Sequence, residues 1–285
     1  MGRADLHIHS AASDGTASVS DILAHVAARA DLDVIAIADH DRIDAAQAAE
    51  AIARELAYPF EVIVAEEVST RGGHLLALYL QERVTPWRSL RATVAAVHEQ
   101  GGLAIPAHPL IPYPLCASAR TLERLLADPD PLSHPDALET FNPTTAGRPW
   151  HPRVVAFAAR HGLPGVGNSD AHELEQIGQG WTEFPGRSAA DLRAAILAGR
   201  TTWQGEFYPR FAQVGMVGRQ YRKKVLDLTA DLRGRVLRTG TGRDLGYPGG
   251  QLRPPRYLPA STASPARGGA AVAADERESN QGPAR

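Results

Sequence analysis

The apolar positions of the chain fall into short runs that alternate with longer segments of helical period. Runs at residues 4–9, 34–38, 61–65, 74–80, 103–107, 137–141 and 165–168 have the length and composition of strands. Between and after them, apolar residues recur three or four positions apart at 19–30, 45–57, 90–100, 121–127, 153–161 and 189–198, which predicts helices. Ser18 stands ahead of the first helix and Gly101-Gly102 behind the third, supplying cap and stop chemistry where it is needed. Strands that alternate with helices predict an α/β fold with a parallel sheet, closed as a TIM-like barrel or open and doubly wound.

Polar residues interrupt this pattern at strand ends, and they are of one chemical kind. His7 and His9 close the first run and Asp14 follows; Asp39-His40-Asp41 closes the second; His108 follows the fifth; Asp170 and His172 follow the last. Side chains two apart on a strand share a face, so His7 projects with His9, and Asp170 with His172. Imidazoles and carboxylates without thiolates suit Zn, Mn or Fe and predict a metal-dependent hydrolase. Ligands drawn from the ends of nearly every strand converge more easily in a barrel than in an open sheet, which offers one crevice, so a distorted barrel is the expected closure.

Composition narrows the class. A chain of 285 residues, 44% hydrophobic with formal net charge −2, can bury one substantial core, and nothing in its overall charge calls for nucleic acid. One cysteine, Cys116, excludes an internal disulfide and a thiolate metal site. The first 20 residues have no basic start leading into an apolar stretch, and no run approaches the roughly 18 to 20 apolar residues of a membrane span, so a soluble, cytoplasmic protein is expected.

Past residue 212 the pattern changes. Val217, Tyr221, Val225, Leu228, Leu232 and Val236 form one apolar stripe, and the stretch from Arg219 to Arg243 holds eight basic residues against Asp227 and Asp231. This predicts a basic amphipathic helix over 213–238, packed on the preceding domain or making weak membrane-surface or nucleic-acid contact. Residues 239–285, with fourteen Gly or Pro and few large apolar side chains, read as a disordered tail.

Taken together, the motifs resemble the PHP (polymerase and histidinol phosphatase) family. The resemblance covers residues 4–200 and is carried by His7-Ile8-His9 with Asp14, Asp39-His40-Asp41, Glu67-Val68-Ser69-Thr70 followed by His74, Ala107-His108-Pro109, Glu139 with Phe141-Asn142, and Ser169-Asp170-Ala171-His172. It is strongest to stand-alone bacterial phosphoesterases of the nucleoside 3′,5′-bisphosphate phosphatase and 5′-3′ exoribonuclease branch. It implies a distorted seven-stranded (βα) barrel over 1–212 and two or three divalent ions held by His7, His9, Asp14, His40, Glu67, His74, His108, Asp170 and His172. Glu66 and Glu67 would point to opposite faces of a strand, and the resemblance selects Glu67, with Glu66 taking its place if the strand register slips by one.

The expected chemistry is hydrolysis of phosphate monoesters, of a small metabolite or of nucleotide or short RNA or DNA ends, by a metal-activated water. No Gly-x-Ser-x-Gly elbow supplies a protein nucleophile. Asp39 and Asp41 are assigned to orienting ligands or moving protons, beside Asp170 and His172, and Arg42, Arg71, Asn142 and Arg148 to substrate contacts. Histidinol-phosphatase-type activity is an alternative within the same chemistry, and two readings of other classes compete. Amidohydrolase barrels also open with His-x-His but add a metal-bridging lysine, and the only lysines, Lys223 and Lys224, lie outside the barrel. A non-catalytic metal-binding module would be expected to have lost ligands.

Overall fold

The computed structural model describes residues 1–144 and 146–209; the basic helix and tail expected beyond them lie outside the described residues. Among the described residues nine strands and six α-helices run in the order β1 (Gly2–Ile8), α1 (Val19–Arg29), β2 (Val34–Ile37), α2 (Asp44–Glu55), β3 (Glu61–Thr70), β4 (Gly73–Leu78), α3 (Leu90–Glu99), β5 (Leu103–Pro106), α4 (Ala119–Leu126), β6 (Leu138–Phe141), α5 (His151–His161), β7 (Gly165–Gly167), β8 (Gly180–Phe184), α6 (Ala189–Leu197) and β9 (Thr202–Gly205). The six helices predicted before residue 200 all form. Four begin on a serine cap: Ser18, Ser89, Ser118 and Ser188 each accept a backbone N–H of the first turn.

Seven strands make one curled sheet in the order β5-β4-β3-β2-β1-β8-β9, a half-barrel, while β6 and β7 pair separately and in parallel. The sheet is mixed, which corrects the parallel one expected. β1, β2 and β3 are parallel neighbours, but β4 runs against both β3 and β5, and β8 runs against β1 and β9. The reason is local: β3 continues to Thr70, five residues beyond its apolar run, and only Arg71 and Gly72 separate it from β4. A parallel return needs a crossover of roughly a dozen residues or more, so so short a turn forces a hairpin. β8 and β9 were not expected. They cover the edge of β1, with Gly2 opposite Phe184 and Thr182 opposite Trp203.

The two sheets meet at the end of β1, where Ile8 pairs with Ala171, and Ala171 N–H donates to the His7 carbonyl at 3.1 Å. Burial is divided among three apolar clusters. One runs through the strands and α6 (Leu6, Val34, Ile63, Leu76, Ile105, Leu192), one under α1 and α2 (Ile8, Ile22, Leu23, Ile35, Ile37, Ala49), and one under α3, α4 and α5 (Val68, Leu75, Val94, Leu122, Phe157). Each fully buried large side chain contributes about 1.5–3 kcal/mol, so the scaffold has a core that owes nothing to the polar residues at its strand ends.

Candidate metal centre

The strand ends bring the nine ligand-type residues into one cluster. Five overlapping groups of three have their donor atoms within 4.8 Å of one another: His7, His108, Asp170; His7, His9, Glu67; His9, Asp170, His172; His9, Asp14, His40; and His40, Glu67, His74. Every one of the nine belongs to at least one group. β1 supplies His7 and, one residue past its end, His9; β3 supplies Glu67; β4 supplies His74; the loops after β2, β5 and β7 supply His40, His108, Asp170 and His172.

Glu67 is the hub. Its Oε2 lies 3.3 Å from Nε2 of both His7 and His9 and 3.1 Å from Nδ1 of His40; its Oε1 lies 2.7 Å from Nδ1 of His74 and 2.9 Å from Nε2 of His108. Burial alone would raise the pKa of this carboxyl, but His40, His74 and His7 hold it well below the usual range. Asp170 and Asp14 are likewise held down against burial by the imidazoles they face. Conversely, burial disfavours a charged His9, yet Asp170 and Glu67 outweigh it and raise His9 to about 10. The carboxylates thus stay ionised and demand positive charge.

A cation fits that demand. His7 Nε2 and both ring nitrogens of His9 and of His74 are buried without a hydrogen-bond partner, although carboxylate oxygens stand close by. Orphaned buried polar groups are costly. Nitrogens that crowd together with oxygens yet fail to bond to them are arranged as ligands around a common ion are. Asp14 and His40, with side chains 40% and 30% exposed, are the open side of the cluster; Glu67 at 1% is its floor.

A surrounding set of residues fixes these groups. Glu139 accepts from His7 Nδ1 (3.0 Å) and Asn168 Nδ2 (2.8 Å) on one oxygen, and from His108 N–H (2.6 Å) and Asn142 Nδ2 (3.1 Å) on the other. This leaves His7 Nε2 free to bind, the carboxylate–histidine arrangement of metal sites. His172 does the same with Nδ1 on the Asp170 carbonyl at 3.0 Å, and Cys116 Sγ lies 3.4 Å from His108 Nδ1. The sequence reading gave Glu139 no role; a charge inside the apolar run of β6 was the signal available.

Residues assigned to catalysis and substrate fall in several places. Asp39 is engaged by Ser10 N–H at 2.8 Å, by Ser10 Oγ at 2.6 Å and by Ser13 Oγ, tying down the loop that carries Asp14. Asp41 accepts Ser69 N–H at 2.7 Å. Arg42 is ion-paired with Asp44 and donates to the Ala12 carbonyl at 2.6 Å. Arg71 lines an outer groove with Arg91 and Arg124, and none of the nine residues lines it. Asn142 donates to Glu139 and, at 3.2 Å, to Asp170 Oδ2, so it holds ligand-type carboxylates. Arg148 sits over the Phe207 ring at 5.3 Å.

Known proteins resemble the chain in sequence and in fold. A family model described as PHP-associated matches residues 148–201. An uncharacterized protein of Methanocaldococcus jannaschii is 32% identical over 121 residues, 39% of this chain and 69% of that protein. A 5′-3′ exoribonuclease of Haemophilus influenzae is 34% identical over 105 residues, 35% of this chain and 37% of that protein. Among solved structures, a two-domain protein from Bacteroides vulgatus, described as containing a predicted PHP-like metal-dependent phosphoesterase, superposes with a TM-score of 0.56 at 16% identity, over 78% of this chain and 69% of that one. That likeness is one of fold. The chain belongs to the PHP family.

Proposed function

We propose that the protein is a metal-dependent phosphoesterase, a hydrolase that releases phosphate from monoesters of a small metabolite or of nucleotide and oligonucleotide ends. The observation that carries this reading is the set of buried, unpartnered imidazole nitrogens converging on ionised carboxylates. Family membership supports it, and the Haemophilus influenzae relative, matched over about a third of either chain, supports the nucleic-acid end of the substrate range. The bridge from Ile8 to Ala171 supports reading the half-barrel and the smaller sheet as one distorted (βα) barrel.

His7, His9, Asp14, His40, Glu67, His74, His108, Asp170 and His172 would hold two or three divalent ions, Mn, Zn or Fe. When bound, such ions supply Lewis-acid charge for phosphoryl oxygens and for activating water. The chain's own residues do the positioning. Glu139 fixes the His7 tautomer, Asp39 holds the loop of Asp14, and Asp41 holds β3 two residues past Glu67. Asp14 and His40 form the open side by which an ester would enter.

Two measurements test this. Elemental analysis after reconstitution with Mn or Zn should find about two or three ions per chain, as a multi-metal phosphoryl site requires; less than one would count heavily against the reading. Phosphate release should be screened over nucleoside 3′,5′-bisphosphates, short RNAs and histidinol phosphate. In the same assay Asp170→Asn should lose at least the 10- to 100-fold typical of disturbed metal sites while still melting cooperatively. Wild-type turnover in the folded variant, under matched metal, would remove Asp170 from the centre.

A further inference from the structure

Tyr208 lies three residues past β9, and with 2% exposure it heads the largest fully buried side chains of the described residues. Its hydroxyl donates to the Ser169 carbonyl at 2.5 Å. That carbonyl belongs to the peptide bond leading into Asp170. The Tyr208 N–H donates to the Pro143 carbonyl at 2.9 Å, next to Asn142, whose Nδ2 reaches Asp170 Oδ2 at 3.2 Å. From the opposite side, Asp5 Oδ1 accepts Ser169 N–H at 2.9 Å. Asp170 itself has φ +52°, a left-handed conformation that an aspartate keeps only when its surroundings hold it there.

We infer that Tyr208 is a positioning residue for the metal centre: its hydroxyl locks the peptide between Ser169 and Asp170, so that the Asp170 carboxylate faces His7 and His9. Asp170 Oδ1 lies 3.5 Å from His7 Nε2 and 3.4 Å from His9 Nε2, a placement that a turn of this peptide would undo. Burial, followed by the charges of Asp170, Asp5 and Glu139, pushes the phenol pKa up. The hydroxyl therefore remains a donor. Tyr208 also stands outside the 148–201 segment matched by the family model. The inference rests on reading Asp170 as a ligand.

Tyr208→Phe keeps the ring and removes the donor. Titration with Mn2+ or Zn2+ alone, by calorimetry or chelator competition, should show affinity weakened by about 10- to 100-fold, the effect of losing an outer support of a ligand, with kcat lowered more than KM is changed. The control is Thr182→Val, which removes another buried hydroxyl, bonded to Gly167 N–H at 3.0 Å and to its carbonyl at 2.9 Å; it should lower the melting temperature and leave metal affinity unchanged. Equal affinity in wild type and Tyr208→Phe, or equal weakening in both variants, would overturn the inference. Should Tyr208→Phe not melt cooperatively, 3-fluorotyrosine at position 208 carries the test. It keeps the shape and strengthens the donor, so affinity should hold or tighten, and a weakening would overturn the role. A wild-type protein that binds no metal would instead defeat the reading of the centre itself.

Discussion

Glu66 and Glu67 are neighbours in β3 with opposite environments. Glu67 faces the imidazoles and is held ionised, whereas Glu66 turns to the other face, accepts Val84 N–H at 2.9 Å and leaves Oε1 without a hydrogen-bond partner, with Arg83 Nε 3.9 Å away. Burial pushes Glu66 up to about 7. Because this lies above the ordinary carboxylate value, its contribution to stability is present at low pH and is lost as pH rises towards 7. Glu66→Gln should therefore stabilise the protein little at pH 4.5 and by up to about 3 kcal/mol at pH 8. Urea unfolding at both pH values measures the difference, and a gap that does not grow with pH would contradict this account of Glu66. Alternation along a strand told from sequence that the two glutamates diverge, not which way either points. That choice is made by partners on other strands. Glu139 was harder still, since its partners His7, His108, Asn142 and Asn168 come from four separate segments.

At the level of elements, what was legible depended on how local the cause is. Helices announce themselves through their own period and, in four of them, a serine cap, and the six predicted before residue 200 appear. The β3–β4 hairpin is also a local feature, but the polar run from Glu66 to Thr70 hid the second half of β3. Within it Glu67 faces the imidazoles, while Glu66 accepts Val84 N–H and Thr70 donates to the Gly73 carbonyl, so the polar residues there are fixed by partners on other segments and by the turn and not by strand propensity. β8 does alternate, with Gly180, Thr182 and Phe184 buried between half-buried Trp181 and Glu183, and that signal was available. The hairpin turn makes a sharp prediction. Gly73 has φ +126°, and a Cβ there would lie 2.5 Å from Ala117 N. Gly73→Ala should cost about 1–3 kcal/mol or more, and it should disturb the adjacent His74 and hence metal affinity. A thermal melt and a metal titration matching wild type would show that the turn has room the geometry denies it.

For the molecule as a whole, three apolar clusters carry the fold and the polar cluster lies at the strand ends, so folding and metal binding should be separable. Stripping metal with a chelator should leave a cooperative melt and the helical signal, and restoring Mn or Zn to about a hundred times its dissociation constant should add about 2.7 kcal/mol. Complete loss of helical signal in the stripped protein would mean that the ions are part of the core. Among the described residues no helix is long and apolar enough to cross a membrane. The joint between β1 and the residues after β7 also sets a timetable. Asp5 waits for Ser169, 164 residues further along the chain. At about 5–20 residues per second, a ribosome takes roughly ten to thirty seconds to make that distance. During this interval His7 and His9 exist without Asp170 or His172, so only a fragment of the candidate centre is present. On the proposed reading of the centre, capture of a full complement of metal would wait until the chain has nearly completed its sheet.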